Sequence, residues 1–200
     1  MKKIEVKTNS ENSFISSWKT DDLVLMDELV AFFENNPELQ SEGMQGAHNV
    51  NKQYKDTSDI KIEPKNLMDK KYEVFNRYIS HINECYEEYR KEWEFFGSRV
   101  GKINIGSFNI QKYDIGGHVN AWHTERDSIF LSHRVLAWIT YLNDVEKDGE
   151  TEFLYYNTKI KPEKGKTVIW PSEWTHAHRG IPANNCLKYV ITGWFHFPYE

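Results

Sequence analysis

Cysteine is nearly missing from this chain: Cys85 and Cys186 are the only two in 200 residues, and they lie far apart. Two cysteines so spaced provide no disulfide framework and no CxxC metal knuckle. Long apolar runs are missing as well. No stretch approaches the ~18 consecutive apolar residues of a membrane-spanning helix. The opening MKKIEVKTNSENSF is charged but lacks the apolar region of a secretory signal. A soluble, reducing, cytoplasmic setting without a membrane is therefore the expectation. Basic excess is lacking too. The formal charge is -5 and the pI about 5.9, so no broad basic surface advertises nucleic acid as a partner. There is no GxGxxG, P-loop or GxSxG motif, no internal repeat and no low-complexity tract.

What is present is an aromatic-rich chain, with Trp 7, Tyr 11 and Phe 11, of a length that suits one domain with a substantial core. Residues 1–97 read as helix-rich and polar, and residues 98–200 as strands and turns. Ile4 and Val6 mark a short N-terminal strand. Asp21 or Asp22 can cap a helix to about Glu34, with Leu23, Leu25, Met26, Leu29, Val30 and Phe33 as its apolar stripe. Residues 36–66 are polar and turn-rich and read as a long irregular segment suited to a lid; His48 lies in it. A long helix spans about 68–95, where Tyr72, Phe75, Ile79, Ile82, Tyr86, Tyr89 and Trp93 recur at steps of three and four; Gly97 closes it. Strands are expected at about 102–113, 118–123, 133–142, 150–156, 166–170 and 188–197, separated by Gly-, Pro- and Asn-rich turns. The fold class expected is mainly β with flanking helices (α+β), a jelly roll or sandwich backed by helices.

His123-Thr124-Glu125 carries the first chemical signal. On a strand, residues i and i+2 share a face, so an imidazole and a carboxylate can reach one ion from neighbouring positions. A third ligand has to come from another strand. His176 and His178 are both candidates, and their own i, i+2 spacing leaves the choice open. Two histidines and one carboxylate can hold Fe(II) on one face and leave the opposite face open. Lys188 follows His178 by ten residues, between the apolar flanks Cys186-Leu187 and Tyr189-Val190-Ile191, and offers a cation to an anionic ligand.

From Tyr113 to Trp194 the chain resembles the 2-oxoglutarate/Fe(II)-dependent dioxygenases, in particular the prolyl 4-hydroxylase-like branch and its short phage-encoded members. The residues that carry the resemblance are Tyr113-Asp-Ile-Gly-Gly, Trp122-His-Thr-Glu125, Ile139-Thr-Tyr-Leu-Asn143, Gly149-Glu-Thr-Glu-Phe153, Lys161-Pro-Glu-Lys-Gly165, Thr175-His-Ala-His-Arg-Gly180 and Lys188-Tyr-Val-Ile-Thr-Gly-Trp194. The resemblance implies a double-stranded β-helix (cupin-like) core. It implies Fe(II), 2-oxoglutarate as cosubstrate and O2, with ascorbate as an optional auxiliary reductant. It selects His178 over His176, because His178 stands four residues before Pro182 and ten before Lys188, the spacing of the family's distal histidine. The implied metal set is His123, Glu125 and His178. The implied cosubstrate set is Lys188, Tyr141 and Tyr113, with Lys188 on the far carboxylate; Thr192, four residues after Lys188 on the same strand face, is a further candidate. Glu125 departs from the Asp usual in prolyl hydroxylases. It still keeps a carboxylate, which argues against the halogenating relatives.

The function implied is hydroxylation of prolyl residues in a peptide or protein, with 2-oxoglutarate and O2 converted to succinate and CO2. Alternatives are hydroxylation of a free amino acid or other small metabolite, and a non-catalytic metal-binding β-sandwich module. Trp122, Trp170 and Trp174 are candidates for the pocket mouth or the core. Thr151 and Phe153 are expected to be structural, and His81, His118, His133 and His196 structural or exposed.

Overall fold

Alternation along two central strands divides the interior of the protein into two cores, and the strands around them follow. The computed structural model describes residues 1–44 and 50–198; His48 lies outside them. The strands are β1 (Lys2–Ile4), β2 (Ser16–Lys19), β3 (Ser41–Glu42), β4 (Lys55–Asp56), β5 (Ser58–Ile62), β6 (Asn104–Ile105), β7 (Phe108–Tyr113), β8 (His118–His123), β9 (Arg134–Tyr141), β10 (Thr151–Phe153), β11 (Thr158–Ile160), β12 (Lys166–Pro171), β13 (His178–Gly180) and β14 (Lys188–His196). The helices are α1 (Leu23–Glu34), α2 (Glu73–Glu92) and α3 (Glu94–Arg99).

The larger sheet runs β1-β2-β12-β9-β14-β7-β5-β3, with β6 also on β14, and the smaller runs β11-β10-β13-β8-β4. From β7 onward the chain passes between the two: β7, β9, β12 and β14 belong to the larger sheet, and β8, β10, β11 and β13 to the smaller. That connectivity, antiparallel throughout, is the expected double-stranded β-helix. On β9, Leu136 and Trp138 face the helices with Phe75, Tyr78 and Ile82 of α2. Ala137 and Tyr141 face the space between the sheets with Phe153, Trp170 and Val190. β14 divides the same way, with Ile191 and Phe195 on the helix side and Val190 inside. Gly193 interrupts β14 because a Cβ there would lie 2.5 Å from the Trp138 ring and 2.7 Å from the Phe108 Cβ.

The helices hold the outer face of the larger sheet. Asp22, one of the two expected caps, accepts from the Leu25 amide at 3.1 Å. Of the expected α1 stripe, Leu25, Met26, Leu29 and Phe33 are buried, but Leu23 is 40% exposed and Phe32 is buried in its stead. The long helix is interrupted at Trp93 (φ -105°, ψ 77°), and Gly97 sits inside α3 rather than beyond the last helix. Its most buried residues include Tyr78, His81 and Cys85, so the packed face lies slightly to one side of the stripe read from spacing. The polar groups on this face satisfy one another. Trp138 Nε1 donates to the Tyr78 hydroxyl (3.0 Å), which donates to Thr140 Oγ1 (2.9 Å); Thr140 and Thr167 share a hydrogen bond (2.8 Å), and His81 Nε2 meets Thr167 Oγ1 (2.9 Å). Burial holds His81 neutral, with its pKa lowered to about 4.

The described parts of residues 36–66 differ from the irregular segment expected. They supply edge strands to both sheets: β3 and β5 extend the larger sheet beyond β7, and β4 extends the smaller beyond β8. Ile60 and Ile62 enter the helix-side core. Lys55 Nζ on β4 meets the Asp59 carboxylate on β5 at 2.5 Å with both side chains largely buried, so an ion pair clasps the two sheets at this side. These strands are too short and too polar for a hydrophobic period to reveal them.

Tyr78→Phe keeps the ring but removes the acceptor of the buried Trp138 N–H. The variant is expected to lose about 1–3 kcal/mol of stability, read as a lower urea midpoint at an unchanged m value. An unshifted midpoint would show that the network contributes nothing net.

Candidate active site

The site begins with a register. In the pairing of β8 with β13, His178 stands directly opposite His123, and the two rings lie 4.3 Å apart. Both side chains point between the sheets, where Phe153 and Trp170 pack against His178. Trp122 and Arg179, one residue away on the same two strands, point to the outer face. There the guanidinium lies 4.5 Å above the indole and Arg179 pairs with Glu152 at 2.7 Å.

Each imidazole is oriented by its own backbone. His123 Nδ1 lies 2.9 Å from the Ala121 carbonyl oxygen, and His178 Nδ1 lies 2.9 Å from that of His176. A carbonyl only accepts, so Nδ1 carries the proton in both rings and the neutral tautomer leaves Nε2 with a lone pair. The two Nε2 atoms face one carboxylate oxygen: Glu125 Oε1 is 3.9 Å from His123 Nε2 and 3.3 Å from His178 Nε2. Glu125 lies just past the end of β8 rather than on it. Thr124 anchors that segment by donating to the Ser172 carbonyl oxygen (2.8 Å), and Arg126 pairs with Glu173.

The second carboxylate oxygen has different partners. Trp194 Nε1 donates to Glu125 Oε2 at 2.7 Å. Arg134 Nη1 lies 3.4 Å from the same oxygen and 3.2 Å from the Glu125 carbonyl oxygen. Arg134 also stacks on the Trp194 ring at 3.7 Å. Burial opposes ionisation of Glu125, but His178, His123 and Arg134 more than offset it and hold its pKa at about 2. Burial lowers the pKa of His123 and favours its neutral form. An ionised carboxylate facing the lone-pair sides of two imidazoles needs a cation among them, either a proton on a ring nitrogen or a metal ion. His123, Glu125 and His178 offer ligand atoms all within 4.8 Å of one another. Two nitrogens and one oxygen on one side of an ion suit Fe(II) and leave its other face open.

His176 does not join them. It sits at the end of a short helical turn and its Nε2 meets the Ser13 carbonyl oxygen at 2.9 Å. Its part in the site is its backbone carbonyl, which orients His178. Lys188 lies on β14 between β9 and β7, inside the sheet and 3% exposed. Its Nζ lies 4.2 Å above the Tyr113 ring and donates to the Gly149 carbonyl oxygen at 3.2 Å; the turn that presents this carbonyl is made by Gly149 at φ 79°. Burial lowers the Lys188 pKa to about 8. The Tyr113 hydroxyl donates to Gln111 Oε1 (3.0 Å), whose amide donates to Asp59 (3.0 Å). The Tyr141 hydroxyl meets Thr151 Oγ1 at 2.7 Å. Thr192 Oγ1 donates to the Trp138 carbonyl oxygen at 3.0 Å.

Of the three tryptophans considered from sequence, Trp170 is buried beside His178, whereas Trp122 lies on the outer face and Trp174 is exposed. His118 is held by the Gly116 and Gln53 carbonyl oxygens, and His133 rests edge-on against His196. Trp194 and Arg134 were not singled out as site residues from the sequence. The signal available was strand parity: Trp194 is six residues from Lys188 and shares its inward face.

Residues 108–196 match the model of the 2OG-Fe(II) oxygenase superfamily. Prolyl 4-hydroxylase 13 of Arabidopsis thaliana is 28% identical over 123 residues, 48% of this chain and 45% of that protein. The chain thus spans less than half the length of the curated relatives it matches. Among solved structures, a prolyl-4-hydroxylase of Pseudomonas putida superposes with a TM-score of 0.73 at 18% identity, covering 93% of this chain and 94% of that one. A prolyl hydroxylase from Trichoplax adhaerens, in complex with a hypoxia inducible factor oxygen degradation domain peptide fragment, superposes with a TM-score of 0.72 at 14% identity, covering 92% and 84%. At these identities the structural matches speak for the fold, and the superfamily match covers His123, Glu125, His178 and Lys188. The segment from Phe108 to His196 is therefore similar to 2OG-Fe(II) oxygenase domains, and the chain has the fold of the solved prolyl hydroxylases.

Proposed function

We propose that this chain is an Fe(II)- and 2-oxoglutarate-dependent hydroxylase that acts on prolyl residues of a peptide or protein. The observation that carries the reading is the presence, within one barrel, of a converging His-Glu-His set and a buried ammonium with no carboxylate of the described residues in salt-bridge reach. A charge so buried is costly until an anion joins it.

In this reading His123, Glu125 and His178 hold Fe(II). Lys188 holds the far carboxylate of 2-oxoglutarate through a charge-assisted hydrogen bond, with Tyr113 supporting the ammonium by its ring. Tyr141 adds a hydroxyl oriented by Thr151, and Thr192 lines the same interior face. When bound, Fe(II) with 2-oxoglutarate and O2 supplies the oxidising chemistry: one oxygen atom enters the substrate as hydroxyl, and the other leaves in succinate after loss of CO2. The chain's own residues bind, orient and exclude water. Phe153, Val168, Trp170 and Val190 form an apolar wall around the set, and no side chain has to act as a general base.

A peptide substrate is supported by the prolyl hydroxylase names of the relatives and by the Trichoplax complex, in which that enzyme holds a peptide fragment. On this chain, Ile129 and Phe130 stand 93% and 78% exposed between β8 and β9, a few residues after Glu125. Two neighbouring large apolar side chains offered to solvent suit contact with an extended chain.

His123→Ala, Glu125→Ala and His178→Ala are each expected to abolish succinate formation and the visible absorption band of the anaerobic Fe(II)–2-oxoglutarate complex. Wild-type turnover in any of the three would refute the ligand assignment. Proline-containing peptides are expected to couple 2-oxoglutarate consumption to hydroxyproline, and free proline is not; coupled turnover of free amino acids alone would move the reading to a small-metabolite hydroxylase. Lys188 carries a pH signature. Its pKa falls from 10.5 to about 8 in the folded chain, worth roughly 3 kcal/mol at most. The penalty is fully present below pH 8 and fades as pH rises to the unfolded value, because in that window the unfolded chain binds the extra proton. Lys188→Met is therefore expected to be more stable than wild type at pH 7 without cosubstrate, with the difference shrinking from about pH 8 to 10.5, and to lose 2-oxoglutarate binding. Equal thermal midpoints across that range would contradict the account.

A further inference from the structure

The two oxygens of Glu125 face opposite ways. Oε1 is turned to His178 and His123, at 3.3 and 3.9 Å from their Nε2 atoms. Oε2 is turned to the Trp194 indole N–H at 2.7 Å and to the Arg134 guanidinium at 3.4 Å. These two partners support each other, since the guanidinium carbon lies over the Trp194 ring, 3.7 Å from its centroid, and Arg134 also holds the Glu125 carbonyl oxygen at 3.2 Å. They come from the two central strands: Arg134 opens β9, and Trp194 lies on β14 opposite Ala137 of β9. The Glu125 side chain is 11% exposed, so a donor taken from Oε2 is not simply replaced by bulk water.

A glutamate at this position has a problem that an aspartate has to a lesser degree. Its extra methylene adds a rotatable bond and lets the carboxylate swing both oxygens toward one cation. A carboxylate bound through two oxygens takes two coordination positions. With two histidines in place, an octahedral ion would then lack room for a two-oxygen chelating cosubstrate together with O2. We infer that Trp194 and Arg134 are positioning residues that tie down Oε2 and so restrict Glu125 to one-oxygen ligation, keeping one position of the metal open beside chelated 2-oxoglutarate. The inference rests on the ligand assignment proposed above. Neither residue touches the metal or the cosubstrate in this scheme; both act through Glu125. The chain's departure from aspartate and its Arg134–Trp194 stack are in this view one device.

The test uses the full chain and Mn(II) as a redox-silent probe, with calorimetric titration of Mn(II), then of 2-oxoglutarate into the Mn(II)-loaded protein, followed by water-proton relaxation of the ternary complex. Trp194→Phe keeps the ring under Arg134 and deletes only the N–H. It is expected to bind Mn(II) and 2-oxoglutarate and to lose most of the relaxation enhancement of the wild-type complex, because the second Glu125 oxygen takes the position that water otherwise holds. Arg134→Gln is the second variant and is expected to lower the enhancement in the same direction. In a Glu125→Asp background the shorter side chain leaves the indole, so adding Trp194→Phe is expected to change the enhancement little; this non-additivity is what a merely structural tryptophan would not produce. An unchanged enhancement in folded Trp194→Phe, or an equal loss in both backgrounds, overturns the inference. A wild-type chain that binds no Mn(II), or a His178→Ala chain that binds it normally, overturns the ligand assignment instead and the inference with it.

Discussion

The proposed metal centre depends on one cross-strand pairing, His178 opposite His123. A slip of either strand by a single residue would turn its imidazole to the outer face and bring inward the neighbouring Trp122 or Arg179, which stack on the outside. Several contacts oppose the slip. Arg179 is tied to Glu152 on the next strand. The chain after His123 is tied through Thr124 and Arg126 to the Ser172–Glu173 turn that leads into β13. The register shift between His178 and Gly180 lets a strand of three residues pair on both sides and still aim its first side chain inward. A ligand at the end of so short a strand is held by its flanks more than by its ladder.

The second constraint is parity on β14. Its inward positions are Lys188, Val190, Thr192 and Trp194, and its outward ones pack on the helices. One strand thus supplies the ammonium at one end of the barrel and the indole N–H on Glu125 toward the other. Because β14 is bonded on both sides, to β9 and β7, these two groups stand on rigid backbone. The N-terminal part of the chain serves the same end from outside. α2 seals the far face of the larger sheet through a polar chain from Trp138 to His81 that leaves its main groups paired. The β4–β5 segment clasps the barrel edge through Lys55 and Asp59, and Asp59 reaches Tyr113 by way of Gln111.

The sequence made some of this readable and concealed the rest for physical reasons. β9, β12 and β14 were legible because their apolar and β-branched runs are long, and β8 from the Gly116-Gly117 turn signal before it. α1 was legible from its cap and stripe. The Glu125 pairing with two histidines was legible from residue type, but spacing alone left His176 and His178 equivalent. The difference between them is a short helical turn that sends His176 to the Ser13 carbonyl oxygen, a contact across most of the chain length that no local pattern encodes. β4 and β13 are two and three residues long, below the length at which a period can be read. β5 is longer, but its apolar residues are few and it sits among turn formers. The partners of Glu125 Oε2 come from β9 and β14, which are distant from it in sequence. Tertiary pairing made them neighbours.

The interior charges indicate what the barrel is built to enclose. Glu125 is over-provided with partners: two imidazoles, an indole and a guanidinium surround one carboxylate. Lys188 is under-provided, with one carbonyl oxygen and an aromatic face around a buried ammonium. Neither imbalance serves folding, since a buried charge left unpaired destabilises and an apolar residue at position 188 would fill the space at less cost. The two become complementary once a divalent cation and a dianion are added together. The cation adds to the single negative charge of Glu125, the dianion meets the cation at one end and the ammonium at the other, and the enclosed charges cancel. Arg134, with its side chain 19% exposed, shares its own charge with solvent. A cation alone would leave Lys188 facing additional positive charge, and a diacid alone would be repelled by Glu125. Under the proposed function the arrangement favours taking up the metal and the diacid as a neutral pair, a physical reason for a lysine and a glutamate to share this barrel.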